Sequence, residues 1–227
     1  MDNKDVARTI ARMYHTLTPE ELNMFSEILV PMKFSKGDLI LKENEVCRHM
    51  LYVAKGMVRQ FYFKNNKDVT EHFSYETKIV MCIESFLQQE PSRLMVEALE
   101  PCLLFGIPYD KLQELTQKSF NIELLFRKFL EHCLIDSQIH ADSVRFETAQ
   151  DRYLKLFNSR PQIFLRAPLV HIASYLQMTP ETLSRVRSAH LNEEERAANA
   201  TKTKIDTEVL GRMPIKKSSA KGTKTNK

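Results

Sequence analysis

The chain has 227 residues, room for one large domain or two modest ones, and its 43% hydrophobic and 27% charged residues are the balance of an ordinary globular protein. No apolar run approaches the roughly 20 residues of a membrane span, and the start Met1-Asp-Asn-Lys-Asp5 lacks the apolar core of a signal peptide, so a cytoplasmic protein with no membrane partner is expected. The net charge of +4 is uneven: residues 1–144 carry 17 Lys/Arg against 21 Asp/Glu, whereas residues 145–190 carry 7 against 3 and residues 201–227 carry 8 against 2. Positive charge therefore gathers in the C-terminal third, where it can neutralise phosphates.

In chain order, residues 3–17 read as a helix through Val6, Ile10, Met13, Tyr14 and Leu17. Thr18-Pro-Glu-Glu21 is a capping box that opens a second helix to about Leu29. Then short apolar runs alternate with turn residues: Val30–Phe34, Leu39–Leu41, His49–Val53, Met57–Phe63, Val69–Phe73, Ile79–Ile83, Leu94–Leu99 and Leu103–Ile107. Eight short strands at this spacing predict a closed or nearly closed antiparallel β structure. Asp110–Gln117 reads as a short helix and Asn121 to Ser143 as a long one. On the long helix Ile122, Phe126, Phe129, Cys133, His140 and Val144 form one stripe, and apolar neighbours flank it on both sides. Such a helix needs cover from more than one direction, which its own β domain and a second copy of the chain would supply; the alternative is a core helix within one subunit. Thr148 caps a further helix, Ala149–Asn158, and segment 143–148 is the expected hinge.

The most informative stretch is Leu169 to Val186. It reads as a helix, a tight turn at Gln177, and a second helix capped by Thr179 with Pro180 at its first position. Leu183 and Val186 face inward at i, i+3, while Glu181, Ser184 and Arg185 lie on the opposite strip. Arg forks onto guanine O6/N7 and Glu accepts from cytosine N4, so this strip suits the recognition helix of a helix-turn-helix.

Pro180-Glu-Thr-Leu-Ser-Arg185 resembles the recognition helix of the CRP/FNR family of bacterial transcription regulators, with a Glu-x-x-Ser-Arg spacing closer to the FNR-like branch. Gly37 and Gly56 also fall where that family's β-roll places turn glycines, and the likeness spans roughly residues 15–190. The resemblance implies an α+β chain with four parts. Residues 1–118 would form a cyclic-nucleotide-binding-like jelly-roll sensor. Residues 119–145 would be a dimerisation helix, its interface drawn from Ile122, Phe126, Phe129, Cys133 and His140. Residues 146–192 would be an all-α helix-turn-helix domain, and residues 193–227 a basic disordered tail. No β-hairpin wing is legible after His190, where Leu191–Ala200 looks helical. The implied partners are double-stranded DNA, a second copy of the chain, RNA polymerase and a small-molecule effector. Thr179, Glu181, Thr182, Ser184, Arg185 and Arg187 would be the DNA-binding residues, on a palindrome whose half-sites are of the TTGA type.

Cyclic-nucleotide binders of this family carry a Gly-Glu step opening a small helix, then an Arg for the phosphate. Here Glu84 matches the acid, but Ile83 replaces the glycine. Aligned through Val96-x-Ala98, the phosphate Arg falls on Ser92, with Arg93 one residue late. One residue of slip in a strand turns a side chain to the opposite face. The sequence therefore predicts a pocket around Glu84, Ser85, Ser92 and Arg93 that does not take cyclic AMP in the usual way.

The four cysteines, at 47, 82, 102 and 133, form no C-x-x-C pair and read as free thiols rather than zinc or iron–sulfur ligands. His49 and His72 stand without the His-x-His and acid of a β-barrel metal site. There is no Gly-rich phosphate loop and no Gly-x-Ser-x-Gly elbow. No cofactor, metal or catalytic group is thus expected. The alternative to a DNA-binding regulator is a ligand-binding signalling module whose helix-turn-helix is a relic. In it Glu181 and Arg185 would be only a surface i, i+4 pair.

Overall fold

The computed structural model describes residues 1–193, so the expected tail, any wing, and the part of the 191–200 helix past 193 lie outside the described residues. The chain forms two compact units, Met1–Leu183 and a second that begins at Ser184. The first unit is α+β. Helix α1 (Asn3–Tyr14) starts from a reciprocal cap between Asp2 and Asp5 and buries Val6, Ala7, Ile10 and Ala11. It ends at Tyr14 rather than at 17, because His15 turns extended to lead into the next cap.

Helix α2 (Pro19–Glu27) opens on the predicted capping box: Thr18 Oγ1 accepts from Glu21 N–H, and Glu21 Oε2 accepts from Thr18 N–H at 2.8 Å. The other Glu21 oxygen accepts from the Ser119 hydroxyl at 2.6 Å, and Asn121 Nδ2 lies 3.1 Å from it. Partial desolvation opposes the charge of Glu21. The bonds from Ser119, Thr18 and Asn121 outweigh it and hold the carboxyl at about 2.

Eight strands follow: β1 (Val30–Phe34), β2 (Leu39–Leu41), β3 (His49–Lys55), β4 (Met57–Lys64), β5 (Lys67–Tyr75), β6 (Ile79–Val80), β7 (Met95–Ala98) and β8 (Cys102–Pro108). They form two four-stranded sheets, ordered β1-β8-β3-β6 and β2-β7-β4-β5, and every pairing is antiparallel. Met50, Tyr52, Val58, Val96, Leu104 and Phe105 join one apolar core. The β4–β5 hairpin turns on Asn65 and Asn66, both at positive φ (51° and 59°), as a two-residue type I′ loop requires. Gly56 joins β3 to β4 at φ +99°, and a Cβ there would lie 2.6 Å from Cys102 Sγ. The strand read as Ile79–Ile83 stops at Val80, since Cys82 becomes the N-cap of helix α3 (Ile83–Gln88).

Helix α4 (Tyr109–Lys118) leads to α5 (Phe120–Phe146), 27 residues long and started by Ser119, whose hydroxyl accepts from Ile122 N–H. Helix α6 (Ala149–Ser159) begins at Thr148 as predicted. Pro161 does not merely end α6. It occupies the first turn of α7 (Pro161–Arg166), where a missing N–H costs nothing. Helix α8 (Leu169–Tyr175) precedes a helix over 180–193, here α9.

Candidate nucleic-acid interface and effector cavity

The turn after α8 is built from its own backbone. Gln177 adopts φ 50°, its N–H donates to Ser174 O, and Met178 N–H donates to Ala173 O, both at 3.0 Å. These are the paired bonds of a Schellman motif, closed by glutamine in place of the usual glycine. Ile172, Ala173, Tyr175, Leu176 and Leu183 are buried around it. Thr179 then caps α9: its Oγ1 accepts from Thr182 N–H at 3.2 Å and lies 3.2 Å from the Thr182 hydroxyl. Within the first unit Glu181 is exposed, and its own backbone N–H and the Thr179 hydroxyl hold its carboxyl below the usual range. In the second unit Ser184, Arg185 and Arg187 are helical and exposed.

Helix α8 seats on β5, the edge strand of the second sheet. Ser174 Oγ accepts from Thr70 N–H at 2.9 Å and donates to Asp68 O at 3.3 Å, so a helix covers the open ladder of that edge. Beneath it Arg59 is 3% exposed. Arg59 donates to both Asp68 oxygens at 2.6 Å, to Thr70 Oγ1 at 3.1 Å and to Glu97 at 2.8 Å. Tyr175 packs edge-on to Phe73, and His140 stacks on Tyr175 with centroids 4.7 Å apart. Two more arginines complete the junction. Arg152 donates to Leu176 O and Glu147 O, at 2.9 and 2.7 Å. Arg166 grips Glu76 through two bonds of 2.7 and 2.8 Å and also holds Glu100. Arg59, Arg152, Arg166 and Ser174 carry no sequence signal, because their partners lie up to 106 residues away along the chain.

The four expected effector residues are not brought together. Glu84 and Arg93 are exposed, whereas Ser85 and Ser92 are buried and committed to backbone. Ser85 Oγ accepts from Cys47 N–H at 2.9 Å and donates to Glu90 O; Ser92 Oγ exchanges bonds with Leu94 at 2.9 and 3.0 Å. A cavity of about 270 Å³ lies instead between β5 and α5, bordered by Glu84, His72, Phe73, Asp136, His140 and Arg160 among others. Burial and the charge of Arg160 push His72 down to about 4, so its imidazole is neutral at pH 7. Asp136 lies 3.6 Å from both His132 Nε2 and Arg160 Nη2. Among the described residues no three His, Cys, Asp or Glu side chains gather into a metal site.

Helix α5 turns its predicted stripe inward. Ile122, Phe126 and Phe129 are buried in the chain's own core, Cys133 packs partly buried against it, and His140 borders the cavity. The apolar surface α5 leaves uncovered is Leu134, Ile135 and Ile139, at 70%, 57% and 48% exposure. Ile122, Phe126 and Phe129, expected at a dimer interface, are 0%, 9% and 2% exposed and are committed to the chain's own core.

Residues 31–119 match the cyclic nucleotide-binding domain. FixK2 from Bradyrhizobium japonicum superposes with a TM-score of 0.64 at 19% identity, over 74% of this chain and 86% of that one. The c-di-GMP responsive regulator CLP of Xanthomonas campestris gives 0.61 at 15%, over 78% and 93%. The Catabolite Activator Protein of Thermus thermophilus gives 0.51 at 18%, over 82% and 88%. The fold is that of the CRP/FNR transcription regulators. No curated protein matches the chain by sequence. In CRP/FNR terms, two antiparallel sheets form the β-roll and α5 is the long helix that follows it. No helix among the described residues is long and apolar enough to cross a membrane.

Proposed function

We propose that the chain is a homodimeric, cytoplasmic transcription regulator of the CRP/FNR type. It reads a palindromic DNA site with α9, contacts RNA polymerase, and responds to a small molecule other than cyclic AMP. The observation that carries this reading is the turn and cap at 176–182: a Schellman closure, a Thr179 cap with Pro180 behind it, and an exposed Glu181 in the first helical turn. At helical spacing Ser184 and Arg185 follow on the strip that Glu181 begins. Arg185 then addresses guanine, Glu181 addresses cytosine, and Thr179, Thr182 and Arg187 serve the phosphates. Two such helices related by a dyad read half-sites about one helical turn apart. The exposed Leu134, Ile135 and Ile139 supply the apolar strip for pairing α5 with its copy.

The effector site is the cavity between β5 and α5, since Ser85 and Ser92 give their hydroxyls to backbone rather than to a phosphate. Selection of binding sites from a randomised duplex library, read by gel shift at several salt concentrations, tests the reading and yields the site. Arg185→Ala is expected to lose about 1–3 kcal/mol on the selected site and to relax one base position. Equal losses on selected and random DNA would refute base reading. Calorimetry with cyclic AMP is expected to show no micromolar binding.

A further inference from the structure

A second cavity, of about 260 Å³, lies between α5, α6 and α8. It shares four wall residues with the cavity between β5 and α5: Asp136, His140, Arg160 and Tyr175. These side chains therefore form the partition between the two spaces, and within it His140 stacks on Tyr175 with the ring planes 19° apart. The walls differ in kind. The first cavity is faced by Phe73, Ile79, Met81, Leu94 and Phe129, and two of its acids, Glu71 and Glu84, are exposed to water. The second carries Arg152, Lys155 and Arg160. Lys155 is held by Glu147 at 2.6 Å. Arg160 has Asp136 at 3.6 Å, and that carboxylate lies equally far from His132. Arg152 donates to two neutral carbonyls. Three cations against the carboxylates of Asp136 and Glu147 leave one positive charge in excess. All three bear on His140: burial, opposed by Glu71 and aided by Arg160, Arg152 and Lys155, keeps its imidazole below the usual range.

We propose that the effector is an amphipathic carboxylate that spans both cavities. Its apolar chain or ring fills the space between β5 and α5, and its carboxylate passes the His140–Tyr175 stack to reach Arg160 and Arg152. The assignment rests on the first cavity being the effector site and adds the chemistry of the ligand. Size calls for both spaces: neither cavity alone reaches the roughly 300 Å³ at which ligand pockets begin, and joined they pass it. Charge sets the head group. An anion taken out of water needs charged donors, a guanidinium fork matches the two oxygens of a carboxylate, and a single excess positive charge suits a monoanion. The apolar wall sets the body, since Phe73, Ile79, Met81, Leu94 and Phe129 gain by losing water and offer nothing to a second charge. The partition also joins the ligand to the helix-turn-helix. Tyr175 belongs to α8 and packs on Phe73, and its neighbour Ser174 holds the Thr70 amide. A carboxylate that parts His140 from Tyr175 acts directly on the seat of α8, and whatever shifts α8 changes the affinity for the ligand in return.

The test is calorimetric titration of the full-length native protein with decanoate and with decanol, which share an apolar body and differ in charge. Decanoate is expected to bind once per subunit, and decanol about tenfold or more weakly. Arg160→Gln should bring decanoate close to decanol and leave decanol unchanged. Cys133 locates the site without a variant, because it borders the first cavity whereas Cys47, Cys82 and Cys102 do not. With decanoate at about ten times its Kd, alkylation of Cys133 by N-ethylmaleimide, read by mass spectrometry, should slow about tenfold. If Arg160→Gln fails to fold, decanol and Cys133 decide on the native protein. Hydrogen exchange at the Thr70 amide should quicken as decanoate binds, and an unchanged rate would refute the link to α8. The proposal is overturned if neither compound binds, if decanol binds as tightly as decanoate, or if Cys133 is not shielded. No DNA enters these titrations. Their failure refutes the ligand class and leaves the gel-shift result standing, and a failed gel shift refutes DNA reading and leaves the titrations standing.

Discussion

Ser174→Ala isolates the contact that seats α8 on the β-roll. The hydroxyl accepts the Thr70 amide at 2.9 Å, and Thr70 is 3% exposed, so water does not replace the lost acceptor easily. The bond to Asp68 O, at 3.3 Å, is the weaker of the two. Leaving a buried amide without a partner costs about 1–3 kcal/mol. That is a substantial part of a total stability of about 5–15 kcal/mol. With a urea slope of about 2 kcal/mol/M, the midpoint should fall by about 0.5–1.5 M with the slope unchanged. Hydrogen exchange gives the local reading: protection at the Thr70 amide should drop about tenfold or more, while amides of β3 and β8 in the other sheet change only as global stability does. Should Thr70 keep its full protection and the midpoint hold, then Ser174 is not the group that satisfies the β5 edge, and the described docking is wrong.

Replacing Arg59 by Met leaves the partly buried carboxylates of Asp68 and Glu97 without their cation, and unfolding should become easier by about 3–5 kcal/mol by chemical denaturation. Arg166 holds Glu76 at about 2, so that carboxylate contributes stability above its ordinary value near 4.5 and loses it as pH falls towards 2. Glu76→Gln should flatten the urea midpoint over that window. His72 behaves alike in sign: neutral in the fold down to about 4, it binds a proton earlier when unfolded, so stability should fall from pH 6.5 towards 4, and His72→Gln should remove that slope. Gly56→Ala forces a positive φ and a 2.6 Å approach to Cys102, and thermal unfolding should show a loss of about 1–3 kcal/mol or more.

Local chemistry was written plainly in the chain. Thr18, Thr148 and Thr179 announced their helices, because a cap depends on residues three apart. Alternation and turn residues announced the eight strands, though Ile79–Ile83 hid a switch into α3: a short apolar run does not say whether its period is two or 3.6. Pro161 starts α7 directly after α6, since a proline that cannot continue one helix is well suited to the first turn of the next.

Sequence by itself determined the elements, the roll and the exposed, capped helix near Glu181, all of which follow from periodicity and from neighbours within a few residues. Tertiary structure alone decided which way α5 turns, giving Ile122, Phe126 and Phe129 to the monomer and Leu134, Ile135 and Ile139 to the surface. It also decided that Ser85 serves the Cys47 amide, that Arg166 meets Glu76, and that Ser174 meets Thr70. The reason is physical: these pairings join residues 38 to 104 apart, and closing such loops is governed by how the sheets pack, which no local pattern records.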